Sequence, residues 1–137
     1  MKRLLLCLLL CACGRDMPGP TDPAHFTVPE NAVRFAPTNR EAVALDSVRA
    51  CILSTGHTAN MTLRVDDLAW YTVPDSAIEI GTGRVGGIAG PNFIVLSALV
   101  VADEPYRFLL TKHELAHELT GDMAHVSPFW KLCGILP

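Results

Sequence analysis

Past Arg3 the sequence holds no cluster of basic residues, and its formal net charge is −3. A chain of that balance lacks the electrostatic footprint of a nucleic-acid binder, which argues against DNA or RNA as a partner. A membrane-spanning helix is not expected either: the apolar run Leu4–Leu10 is far too short to cross a bilayer. Gly81-Thr82-Gly83 leads into strand-like residues with no Lys-Ser/Thr pair behind it, which argues against a phosphate loop. There is no internal repeat or low-complexity tract, and 137 residues leave room for one domain.

Half of the chain is hydrophobic, and part of that excess sits at its start. Lys2 and Arg3 followed by the run to Leu10 form the pattern of a secretory signal. Its end, Leu10-Cys11-Ala12-Cys13, resembles the bacterial lipobox, which implies a signal peptide over 1–12 and lipidation of Cys13 as the first mature residue. Gly14 rather than an aspartate follows, so retention at the inner membrane is not signalled. The expected location is the bacterial cell envelope, with a lipid anchor in the outer membrane facing the periplasm. A plain cleaved signal ending near Gly14 is the alternative. Beyond Cys13 only Cys51 and Cys133 are left as thiols of the mature chain. In an exported protein they can form a disulfide, worth roughly 4–5 kcal/mol on the loop-entropy model; two buried free thiols are the alternative.

Residues 13–37 are rich in proline and have no helical period, so they are expected to be a flexible tether, with His25 a solvated loop residue. The domain is expected to fill 38–137. Thr38 and Glu41 fit a capping box, and Val43, Leu45, Val48, Cys51 and Ile52 recur at helical spacing until Gly56. His57 is expected to cap that helix or lie on the surface. The segments "MTLRV", "LAWYTV", "AIEI" and "FIVLSALVV" read as strands, with glycine-rich "GTGRVGGIAGPN" between the last two. A second helix is predicted from about Glu104, with Pro105 in its first turn and Gly121 as its stop. "SPFWKL" then suggests a short terminal helix or turn, with Phe129, Trp130 and Leu132 packing back on the core. The fold class is α+β: an N-terminal helix, a twisted and mostly antiparallel sheet, a site-bearing helix and a short tail.

Three of the five histidines fall within residues 113–125. His113 and His117 lie four apart on the predicted helix, so both imidazoles project from one face and can grip one ion. Glu114, beside the first, sits where a carboxylate can take a proton from water activated by zinc. His-Glu-x-x-His inside an amphipathic helix is among the more specific short signals a sequence carries. A solvated imidazole pair near a helix end is the plain alternative. Gly121 ends the helix soon after the pair, and His125 follows eight residues beyond His117, where the chain can turn back. Asp122 is the rival third ligand, or else orients a histidine from outside the coordination shell.

These residues resemble the zincin metallopeptidases, in particular metzincins and the SprT-like and WLM-type minimal zincins, in which a third histidine completes the site. The ending His125-Val-Ser-Pro-Phe129-Trp130 is similar to the minimal zincins, which carry an aromatic pair there. The resemblance covers roughly residues 60–132 and implies a zinc-dependent endopeptidase with Glu114 as general base, Zn2+ as cofactor and a polypeptide as substrate. It also implies that Gly86, Gly87, Ile88, Ala89 and Gly90 form a rim strand on which the substrate lies as an added strand. A monomer is expected. The chain departs from the pattern in three ways: the third histidine is eight rather than six residues on, the glycine is four rather than three on, and no methionine follows His125. No glutamate follows Glu118, which excludes a downstream glutamate ligand. Tyr71 and Tyr106 match no family position, so no oxyanion donor is assigned. The alternative function is a non-catalytic envelope lipoprotein that binds zinc or a partner.

Overall fold

A computed structural model describes residues 26–80 and 83–135. The expected signal peptide, Cys13, the tether as far as His25, and Gly81 and Thr82 lie outside the described residues.

The architecture is α+β. Strand β1 (Val33–Phe35) precedes helix α1 (Asn39–Ser54); β2 (Ala69–Val73), β3 (Ile78–Ile80), β4 (Gly83–Val85), β5 (Gly87–Gly90) and β6 (Phe93–Ser97) follow. Helices α2 (Ala98–Ala102), α3 (Glu104–Thr120) and α4 (Phe129–Leu132) complete the chain. Among the described residues the main sheet has the order β1-β2-β6-β5, and β3 and β4 form a separate hairpin. The sheet is mixed: β1–β2 and β5–β6 are antiparallel, whereas β2–β6 is parallel.

Strand alternation sorts the side chains. Trp70, Ala89, Ile94 and Leu96 face α1 and α3, where they meet Ala44, Leu45, Val48 and Ile52 of α1 and Leu110, Leu115 and Leu119 of α3. Val73, Ile88 and Val95 face the other way and are covered by Ile78, Ile80 and Val85 of the hairpin. Helix α1 begins in the expected capping box: Arg40 N–H donates to Thr38 Oγ1, and Thr38 N–H donates to Glu41 Oε2 at 2.8 Å. The same Glu41 is fully buried and accepts from Arg107 of α3 at 2.8 Å, tying the two helices together. Burial works against its charge, but the Thr38 bonds and the Arg107 guanidinium outweigh that and lower its pKa. His57 N–H closes the end of α1 on Ile52 O, and its ring packs edge-on against Phe129.

Three sequence-based expectations are corrected. The tether does not extend to 37, because Val33–Phe35 pairs with β2 and Phe35 packs on Trp70 at 6.0 Å. Pro29 and Pro37 hide this strand in the sequence, and an edge position is where flanking prolines are tolerated. "MTLRV" is not a strand: Met61 is exposed and Val65–Asp67 is a single 3-10 turn. There Asn60 Oδ1 accepts from Thr62 N–H, and Asp67 accepts from Arg64 N–H; such local bonds compete with a ladder. "FIVLSALVV" is divided at Ser97, whose side chain accepts from Val100 N–H and starts α2.

Candidate metal centre

Helix α3 carries two of the three histidines because its buried stripe includes His113, Glu114 and His117 among leucines. Asp103 caps its start by accepting from Tyr106 N–H. Gly121 ends it in the left-handed region (φ 70°), with its N–H on His117 O. The loop that follows uses a second left-handed residue, His125 itself (φ 55°). Histidine is one of the few side chains enriched there, and this backbone turns its ring back over α3. The two left-handed residues accommodate the eight-residue spacing.

The three side chains converge. His117 Nε2 lies 3.3 Å from His113 Nε2, and His125 Nε2 lies 3.1 Å from it. One candidate ligand atom from each histidine falls within 4.8 Å of the others. Three nitrogens at about 2.0–2.1 Å from a tetrahedral zinc would stand roughly 3.3 Å apart, and the two separations from His113 match that value. The tautomers fit as well. His113 Nδ1 is 2.7 Å from Ile135 O and His117 Nδ1 is 2.9 Å from Asp122 O. A carbonyl only accepts, so both Nδ1 atoms carry the proton and both Nε2 atoms present lone pairs to each other. Two lone pairs at that distance repel unless a cation lies between them. Protonation is a poor substitute, since burial pushes His113 down to about 4 and His117 down to about 3. Burial lowers His125 too, with Asp122 opposing. Neutral imidazoles oriented by outer carbonyls are what a divalent ion of the zinc type takes.

Asp122, the rival ligand in the sequence reading, is occupied elsewhere. Its carboxylate accepts from Ser127 N–H at 2.8 Å, Val126 N–H at 3.3 Å and Trp130 Nε1–H at 2.8 Å. Burial opposes its charge, but these bonds prevail and hold it at about 2. Asp122 therefore braces the loop that carries His125. Trp130 was expected to be plain core, and the structure gives it more. It is fully buried, and its ring centroid lies 5.1 Å from His113, 4.7 Å from His117 and 4.5 Å from His125. It is the floor of the cluster. Position 130, five residues past the third histidine, was the available signal.

The cluster opens into a cleft of about 370 Å³. Glu114 and four of the five expected rim residues, Gly86, Gly87, Ile88 and Ala89, line it. Gly90 does not; it lies under Phe93, whose Cζ a Cβ would meet at 2.3 Å. Among the described residues strand β5 is one of the two edges of the main sheet, and it runs beside α3. The glycine at 87 permits that approach, because a Cβ there would stand 2.9 Å from Glu114 Oε1. Burial raises Glu114 to about 8, while a hydrogen bond from Ala89 N–H works the other way. Glu118, one turn on, is raised by burial to about 7. Among the described residues Tyr106, Leu109, Met123, Phe26 and Arg84 also line the cleft. Cys51 and Cys133 are joined as a disulfide.

No family model, curated protein or solved structure matches this chain.

Proposed function

We propose that the chain is a small zinc endopeptidase of the zincin type, in line with its sequence resemblance. The observation that carries this reading is the convergence of three imidazole rings next to a buried carboxylate, in a cleft walled by an edge strand of the sheet. His113, His117 and His125 hold the ion. Bound there, Zn2+ supplies Lewis acidity toward a carbonyl oxygen and makes water acidic near neutral pH.

The chain's own groups do the rest. A peptide laid along β5 continues the sheet through main-chain bonds, which positions it without demanding a particular side chain. Glu114 takes a proton from the attacking water and delivers it to the departing amine. The water's hydroxyl ends on the acyl carbon, the C–N bond breaks, and a carboxylic acid and an amine leave. With no ion nearby Glu114 holds its proton up to about 8. Beside a divalent charge the same group reverts toward the carboxylate, the form that a base needs. A site kept only for metal or shape has no use for a carboxylate aimed into the cleft, which favours catalysis over simple binding.

Residues 1–13 are proposed to export and lipidate the chain at Cys13, placing the domain in the bacterial envelope. Among the described residues no helix is long and apolar enough to cross a membrane. The test of function is zinc content and casein cleavage for the full-length protein and for Glu114→Gln. Wild type is expected to cleave with one zinc bound; the variant should keep the zinc and lose about 10²–10⁴-fold in kcat/KM. Cleavage that survives the substitution refutes the mechanism. Stoichiometric zinc without cleavage supports the non-catalytic alternative.

A further inference from the structure

The segment 129–135 touches the histidine cluster twice. Trp130 of α4 lies against all three imidazoles, and Ile135 O accepts the Nδ1–H of His113 at 2.7 Å. Between those two contacts stands Cys133, bonded to Cys51 near the end of α1 across 82 positions of sequence. Helix α4 is a single turn of four residues, and Gly134 follows it at φ 61°. So short a helix has no stability of its own and depends on what holds it. Among the described residues the disulfide is the one covalent cross-link between this segment and the rest of the domain.

We propose that the Cys51–Cys133 disulfide is a positioning element of the metal centre, through which affinity for a divalent cation follows the oxidation state of the two sulfurs. The inference rests on the metal-centre reading above. With the bond intact, α4 is fixed to α1, the Trp130 floor is in place and the Ile135 carbonyl locks the His113 tautomer with Nε2 toward the ion. A thiol reductant breaks the S–S bond by giving two electrons and two protons, leaving two cysteine thiols and its own disulfide. The segment then loses its covalent tie to α1 and is held by non-covalent packing of Phe129, Trp130 and Ile135, so the Ile135 carbonyl orients the His113 ring less firmly. Outer partners of metal-bound histidines are worth about 10–100-fold in affinity. The cleft thus loads metal firmly only after the chain has reached an oxidising compartment.

Chelator competition for Zn2+ and the visible spectrum of bound Co2+ test this on the full-length protein, oxidised and reduced, with reductant removed before metal is added. The same measurements are made on Cys51→Ser/Cys133→Ser, and on a chain ended after Gly134 that keeps its disulfide but lacks the 135 carbonyl. Reduction and the double substitution should each weaken zinc binding 10–100-fold and alter the cobalt bands. The shortened chain should be weakened too, and reducing it should add less than reduction does in the full chain, because both changes act on the Ile135 contact and only reduction also frees the Trp130 floor. Equal affinity and an unchanged cobalt spectrum in oxidised and reduced protein overturn the proposal. If the double variant fails to fold, reduced wild type and the shortened chain decide together: weakened binding in both, with a smaller further loss when the shortened chain is reduced, supports the coupling, and unchanged binding in either overturns it. Oxidised wild type that binds neither metal overturns the metal centre as well, which separates that failure from loss of the coupling alone.

Discussion

Replacing Asp122 by alanine tests how the loop after α3 delivers its histidine. The carboxylate accepts three hydrogen bonds, from Ser127 N–H, Val126 N–H and the indole N–H of Trp130. Val126 is exposed, so its freed N–H turns to water at little cost. Trp130 is wholly buried, and its orphaned donor costs about 1–3 kcal/mol. With the Ser127 bond added, the loss of stability should be about 2–4 kcal/mol, read from urea denaturation of the ion-free protein. Zinc affinity should fall about 10–100-fold as the His125 loop loosens. Asp122→Asn separates bracing from ligation. Its carbonyl oxygen can still serve the two donors that share Oδ2, Ser127 N–H and Trp130 Nε1–H, so less than half of either loss is expected. His125→Ala, by contrast, removes a ligand and should weaken binding the most. Should Asp122→Asn reduce zinc affinity as far as His125→Ala does, the bracing role is wrong and the carboxylate belongs to the coordination shell.

Other consequences are equally direct. Gly87→Ala places a Cβ 2.9 Å from Glu114 Oε1 and 3.2 Å from Leu110 Cδ2, so peptide cleavage should drop roughly 10–100-fold while zinc content stays at wild-type level. Glu41→Ala leaves the partly buried Arg107 without its carboxylate partner and opens the capping box; guanidinium denaturation at pH 7 should show a loss of about 3 kcal/mol. The folded pKa of Glu41 lies below its ordinary 4.5, so its contribution is complete above that value and fades as pH falls through the folded pKa. The gap between wild type and Glu41→Ala should therefore narrow in acid. Glu114 behaves oppositely without an ion: its folded pKa of about 8 lies above the ordinary 4.5, so the stability tied to its proton is complete below 4.5 and lost as pH rises through 8. Ion-free Glu114→Gln should then be more stable than wild type at pH 8, with the difference vanishing toward pH 4.5.

The elements that the sequence made legible are those whose signals are local. The capping box at Thr38, the left-handed stop at Gly121 and the i,i+4 histidine pair each depend on a few adjacent residues, and the structure realises all three. Strand β1 was hidden because its pairing partner, β2, lies some forty residues away and its flanks read as linker. "MTLRV" alternates as a strand should, yet the side chains of Asn60 and Asp67 claim the backbone that a ladder would need. The site shows the same division. That His113 and His117 would share one helix face was readable, but that Trp130 floors all three rings and that Ile135 orients one of them depends on how the last turn folds back. No periodicity encodes that return; a disulfide and three buried apolar side chains produce it.

The most direct measurement of the central claim is a crystal structure of zinc-loaded full-length protein with anomalous scattering recorded at the zinc edge. A single peak is expected where the Nε2 atoms of His113, His117 and His125 meet, at about 2.0–2.1 Å from each, with its open side toward the cleft that holds Glu114. A peak at another place, or zinc held without His125, would contradict the account.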